Sequence, residues 1–320
     1  MKLKHLFDAA VAHGISADPR GEEHVRKELG RRKKAYDDLK PDECERFDVD
    51  SLTNPYSDSR VLHGSEDVDV KAVMVGIDTE VGELVLADRL RERGTKLDLV
   101  WGHHPEGRGL ASLGGVMSMQ ADILAGFGVP INVAEGLLKP RISEVERRVM
   151  PVNHMRAVDA ARLLDIPMIC THTPADNCVA GHLQSLFDRE SPRTVGDVID
   201  VLREIPEYCD AEKQDMGLKV FAGDKKRRAG RVFVDMTGGT SGSEKTFERL
   251  SNTSDIGTMV AMHIPEKHRE EAEKNHISVV IAGHMASDTL GMNLLLDAVE
   301  KAGGHKLDVI EASGFRRYEH

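Results

Sequence analysis

From about residue 66 onward, short apolar runs alternate with stretches of helical period. KAVMVGID is a valine-rich run bounded by charge, the mark of a buried strand, and EVGELVLADRLRERG carries a helical period that stops at glycine. LDLVWGHHP then reads as a second strand, which completes a strand–helix–strand unit. Such units pair their strands in parallel through a right-handed crossover, and ligands of open sheets collect where the loops leave the carboxyl ends. Further along, helical MRAVDAARLLD precedes the strand of IPMICTHTPADN, and helical VGDVIDVLREI precedes strands LKVFAG and RVFVDM around the basic turn GDKKRRAG. After the loop TGGTSGS come a helix, strand GTMVAM, helix PEKHREEAEKN, strand ISVVIAG, helix ASDTLGMNLLLDAVEKAGG and a final strand, LDVIEAS. The alternation predicts an α/β protein with βαβ-based sheets flanked by helices in two interlinked lobes.

Two segments fall outside this rhythm. Residues 1–65 form a charged helical N-terminal segment with no visible chemistry. Within it, MKLKHLFDAAVAHG reads as an amphipathic helix, because His5, Asp8 and His13 break the apolar stretch a signal peptide would need. Residues 107–153 combine a glycine-rich stretch with the charged helical ISEVERRVM, an excursion expected beside the first sheet edge. The nearly uncharged run from Gly109 to Ala134 contains Asp122 and Pro130 and makes a poor membrane span, so burial within the protein or an oligomer is expected.

Composition narrows the function classes. The 320 residues are 40% apolar, 30% charged and 4% aromatic, which is long enough to bury a core without disulfide or metal staples. A formal net charge of −11 opposes non-specific attraction to nucleic acid or anionic membrane, so an anionic substrate must meet local cations. Cys44, Cys170, Cys178 and Cys209 show no C-x-x-C spacing, which suggests neither a zinc ribbon nor a disulfide framework and fits a reducing, cytoplasmic setting. Cys178 reads as a packed thiol.

The candidate chemistry lies in HHP at 103–105, HTPAD at 172–176 and GHMASD at 283–288, which place four histidines and two aspartates just after expected strands. Imidazole with carboxylate suits zinc, manganese or iron. Adjacent histidines on extended backbone point to opposite sides, so His103 and His104 can serve different metals. Each motif also has a plain structural reading: His-His as a polar loop edge, Asp176 as a turn residue, and Asp288 as a helix N-terminal residue stabilised by the macrodipole.

From about Val70 to Ser313 the ordered motifs VMVGID, LDLVWGHHP, ICTHTPAD, TGGTSGS and VVIAGHMASD resemble the NGG-interacting factor 3-like family, dinuclear metal-centre proteins also called GTP cyclohydrolase I type 2. The resemblance implies two divalent metal ions held by His103, His104, Asp176, His284 and Asp288, and a homo-oligomer in the form of a hexameric ring. Where the family usually carries glutamate, this chain has Asp288, one methylene shorter, so a carboxylate bridge would be one-sided or water-mediated. His172 is a sixth candidate, either a weak ligand or, the preferred reading, a group that orients a carboxylate or the metal-bound water, and Asp78, at the end of a neighbouring strand, is expected to bond a ligand histidine or to cap a helix. These two are the candidates for handling a proton. The metal-binding lobe is then residues 66–180 plus 275–320, with its site at strand carboxyl ends, and residues 181–274 form the second lobe.

The loop from Thr237 to Ser243 offers glycines and hydroxyls ahead of a helix, a geometry that can present N–H groups to an anion. It lacks a P-loop lysine, and a turn set by backbone needs is the preferred reading. Lys225, Lys226, Arg227 and Arg228 read as a solvated hairpin turn. The functional expectation is a metal-dependent hydrolase of a small phosphorylated or nucleotide-like substrate, with GTP ring opening as a lesser case. The alternative is a non-catalytic metal-binding assembly or regulatory protein.

Overall fold

The computed structural model describes residues 1–320 and consists of two mixed sheets with helices between and around them. Strands β1 (Arg60–His63), β2 (Ala72–Gly76), β3 (Leu99–Gly102), β4 (Met168–Cys170), β5 (Lys219–Ala222), β6 (Arg231–Asp235), β7 (Ile256–Ala261), β8 (Ser278–Ile281) and β9 (Asp308–Ala312) follow in chain order. The first sheet has the order β1-β4-β3-β2-β9, parallel except for β1. The second has the order β5-β8-β7-β6, parallel except for β5. Every residue of β2 and β3 is buried, which is why both segments are unbroken apolar runs: helices cover a parallel sheet on both faces.

Two long helices, His172–Glu190 and His284–Gly303, are shared between the lobes. Val179, Leu183 and Leu290 pack into the core of the second sheet, whereas Ala175, Cys178, Leu295 and Leu296 pack into that of the first. The amphipathic helix Leu3–Ser16 lies against both of them and buries Leu3, Leu6 and Ala10 in the first core. Each shared helix begins where a strand ends, one after β4 and the other after β8. The carboxyl ends of both sheets therefore face one region.

Three expectations need correction. Lys225–Arg228 is exposed or half-buried as expected, but it is no hairpin turn. β5 pairs with β8 and β6 with β7, so this segment links opposite edges of the sheet. Second, β8 joins the second sheet, whereas the sequence places residues 275–320 with the first lobe. Third, the excursion after residue 107 is mostly helical, and its helices Met119–Gly126 and Ile131–Val149 bury Met119, Leu124 and Leu138 against Phe233 and Val279 of the second sheet. A local apolar period identifies an element but not which sheet receives it.

Candidate metal centre

β3 runs out at Gly102, yet its pairing with the neighbouring strand end continues: the His103 amide donates to Gly76 at 3.0 Å and the His104 amide to Ile77 at 2.9 Å. This holds the pair in a bend just past the strand, with the two rings tilted and their centroids 5.1 Å apart rather than on opposite sides of an extended backbone as expected. The other candidates sit on the shared helices in matching patterns. His172 and Asp176 are one turn apart at the start of one helix, and His284 and Asp288 are one turn apart at the start of the other. Both helices direct their positive dipole ends at this region, which favours carboxylates there.

A glycine sets the distance between the helices. A β-carbon on Gly291 would lie 2.5 Å from the Ala175 carbonyl oxygen, so only glycine allows the approach that brings Asp176 and Asp288 together.

The donor atoms form two sets that meet at Asp288. Its Oδ1 lies 3.5 Å from His103 Nε2, which is itself 3.5 Å from Asp176 Oδ1. Its Oδ2 lies 3.4 Å from both His104 Nε2 and His284 Nε2. These separations exceed a good hydrogen bond and match the edge of about 3.4 Å between ligands set about 2.0–2.1 Å from a tetrahedral ion. Asp176 Oδ1, both Asp288 oxygens and His103 Nε2 are buried with no hydrogen-bond partner. Orphaned polar atoms at this density are costly unless something binds them. The histidine and aspartate groups are able to hold metal ions, and their nitrogen and oxygen donors fit a divalent metal.

Asp78 and His172 act on the same cluster. Asp78 Oδ1 accepts from His104 Nδ1 at 2.7 Å, so Nε2 is the ring nitrogen that faces Asp288. The helix-cap reading of Asp78 does not hold, because Glu80 caps that helix. His172 Nδ1 lies 2.8 Å from Asp58 Oδ2, with its Nε2 3.7 Å from Asp176 Oδ2. Asp58 is fully buried and also accepts from Thr173 Oγ1 at 2.6 Å.

Among these groups alone the titrations are strongly displaced. Burial pushes His103 down to about 4 and lifts Asp176 to about 7. Burial also opposes the charged form of His104, but the neighbouring carboxylates of Asp288 and Asp78 outweigh it and raise the ring to about 10. Asp288 is held far below the usual carboxylate range because His103 and His104 overcome its burial. Asp58 is likewise lowered, its burial outweighed by His172.

Sequence reasoning missed Asp58 and His263. Asp58 falls in the segment read as devoid of chemistry and has no motif around it. His263 follows β7 and packs its ring at 90° to His284 with centroids 5.3 Å apart. Its position just past a strand's carboxyl end was the available signal. A cavity of about 70 Å³ lies at the cluster, lined by His172, Asp176, His284, Asp288, His263 and part of the Thr237–Ser243 loop. Asp235 and Thr237 also line a neighbouring cavity of about 780 Å³ that contains Arg20, Arg189 and Arg231.

Among solved structures, a NIF3 superfamily protein from Sphaerobacter thermophilus matches at 26% identity with a TM-score of 0.68, over 81% of this chain and 91% of that one. Reduced HcgD from Methanocaldococcus jannaschii matches at 14% identity with a TM-score of 0.50, over 84% of this chain and 94% of that one, a likeness of fold alone. No family model and no curated protein matches the sequence.

Proposed function

Since this chain belongs to the NGG-interacting factor 3-like (NIF3) superfamily, we propose that it is a dinuclear metal-dependent hydrolase acting on a small phosphorylated or nucleotide-like molecule. The observation that carries this reading is the division of Asp288: Oδ1 lies 3.5 Å from His103 Nε2, which is in turn 3.5 Å from Asp176 Oδ1, and Oδ2 lies 3.4 Å from both His104 Nε2 and His284 Nε2. His103, Asp176 and Asp288 would hold one zinc, manganese or iron ion, and His104, His284 and Asp288 the other. Asp288, where the family usually carries glutamate, would contribute one oxygen to each set.

When bound, such a pair supplies an activated water near neutral pH and polarises the bond under attack. The protein's part is positioning and proton handling. Asp58 fixes His172 with Nδ1–H donating, so Nε2, at the edge of the cavity, is free to take a proton and return it to a leaving group. Asp78 is committed to His104 and serves as a positioning residue, which leaves the proton to His172. In the cavity beside the cluster Arg189 and Arg231 offer cations able to meet an anionic substrate, whereas Arg20 is held by Asp18. Four free cysteines fit a reducing, cytoplasmic location.

The test is turnover of metal-loaded protein against a panel of phosphate esters and nucleotides, with a His172→Asn variant alongside. The reading predicts hydrolysis of at least one member and a loss of about 10²–10⁴-fold in kcat in the variant, the usual share of general acid–base catalysis. Absence of turnover across the panel contradicts it. Product from GTP, abolished in His103→Ala, would promote ring opening, the lesser case.

The non-catalytic reading has one observation in its favour. The side chains of His104 and His284 are 25% and 40% exposed, so a metal held there has access to exchange. Stoichiometric metal that passes readily to a chelator, with no turnover, would favour storage or delivery.

A further inference from the structure

The Thr237–Ser243 loop is held from behind by side chains that bind its carbonyl groups. Gln120 Nε2 donates to the carbonyls of Gly238 and Thr240, both at 2.7 Å, Arg141 Nε donates to Ser241 at 2.9 Å, and His268 Nε2 lies 3.1 Å from the Gly242 carbonyl. All peptide bonds are trans, so each pinned carbonyl forces the following N–H to point the opposite way. The amides of Gly239, Ser241 and Gly242 are thereby turned away from Gln120 and Arg141, and they donate to no backbone carbonyl.

Gly239, Thr240 and Ser241 line the cavity at the metal cluster, whereas Gln120, Arg141 and His268 do not. The side opposite the pins is therefore the cavity side. The glycines are there because this geometry requires them. Gly238 and Gly239 have φ of +94° and +86°, and a β-carbon on either would lie under 3.0 Å from Gln120 or Val116. A turn needed only to reverse the chain would not require four carbonyls pinned by three different side chains.

We infer that this loop is a backbone nest that holds the phosphoryl oxygens of the substrate beside the two metal ions. Successive N–H groups turned to one side make an anion-binding concavity, and Thr240 and Ser241 line the same cavity, with Ser241 Oγ 3.4 Å from His263 Nδ1. The cavity of about 70 Å³ is the size of one tetrahedral oxyanion, and the remainder of a phosphorylated molecule extends past Asp235 and Thr237 into the larger cavity with its arginines. This inference rests on the hydrolase reading of the centre and assigns the part of the substrate that the loop grips.

The test is calorimetric titration of metal-loaded protein with inorganic phosphate, comparing the unmodified chain with Gln120→Leu, which frees two carbonyls while leaving every proposed metal ligand in place. The expected result is one phosphate per chain, weakened at least about tenfold in the variant with metal content unchanged, the scale of one charge-assisted hydrogen bond lost. Hydrogen exchange on the unmodified chain gives an independent reading if the variant does not fold: phosphate should slow exchange of the amides of Gly239, Ser241 and Gly242. Methylphosphonate, whose carbon stands in for an ester, should compete for the site. Equal phosphate affinity in both proteins, or unprotected loop amides, would mean that the metals alone hold the anion and would overturn the inference. Exclusion of methylphosphonate would also overturn it by reducing the site to free phosphate. Loop-dependent phosphate binding without turnover on any substrate would instead sink only the hydrolase reading.

Discussion

His104 occupies the position where the chemistry of the cluster is most exposed to experiment. Its Nδ1–H is bound by Asp78, so Asp78→Ala frees the ring to rotate and should lower metal affinity about 10–100-fold, as loss of a hydrogen bond behind a ligand histidine generally does. Competition with a chromogenic chelator measures it. The pH dependence follows from the same groups. His104 keeps its proton up to about 10 and Asp176 up to about 7 when the side chains face only one another. A metal must displace both protons, so binding near neutral pH should release protons into weakly buffered solution. Apparent affinity should rise as pH rises through 7 and fall as the site is acidified. The two metals should also differ. The first set is almost wholly buried, whereas His104 and His284 reach solvent, so a chelator should remove the ion at the second set first. At this scale the motifs were legible in the sequence because His-His and the two H-x-x-x-D segments keep their ligands close along the chain. Asp58 was not, since its contact with His172 spans 114 residues and neither neighbourhood announces the other.

The shared helices set the geometry at the next scale. Gly291 lies where the helix Ala175 belongs to comes closest, and Gly291→Ala should force the two apart. The expected outcome is a folded protein of reduced metal content, with Asp176 drawn away from Asp288. Circular dichroism alongside elemental analysis checks it. Full metal content in Gly291→Ala would mean the helix approach does not tune the site. The sequence predicted both helices and the strands before them, because apolar period and boundary glycines are local properties. It did not show that β8 belongs to the second sheet or that β5 and β6 lie on opposite edges, since strand partners are chosen by long-range packing. The bland reading of the Thr237–Ser243 loop lacked Gln120, whose contact with Gly238 spans 118 residues.

For the whole molecule, the two sheets point their carboxyl ends at one region, and the ions would join segments from both lobes. Metal should therefore stabilise the fold as a unit, by about 2.7 kcal/mol at a hundredfold excess over Kd, and chelation should lower Tm by a measurable step in one cooperative transition. No helix is long and apolar enough to cross a membrane. The family resemblance implies a hexamer, and Met150, Met155 and Leu163 stand exposed at 79%, 48% and 74%. Light scattering should then give a mass near six times the 35.3 kDa chain, and a monomer would count against the ring.

The central claim is the pair of metals divided across Asp288. Elemental analysis of metal per chain, on the unmodified protein and on His104→Ala and Asp288→Ala variants purified without chelator, tests it most directly. About two metals per chain are expected, falling toward one in His104→Ala, which strips a ligand from one set, and toward none in Asp288→Ala, which strips one from both. No stoichiometric metal in the unmodified protein, even after reconstitution with zinc, manganese and iron, would contradict it.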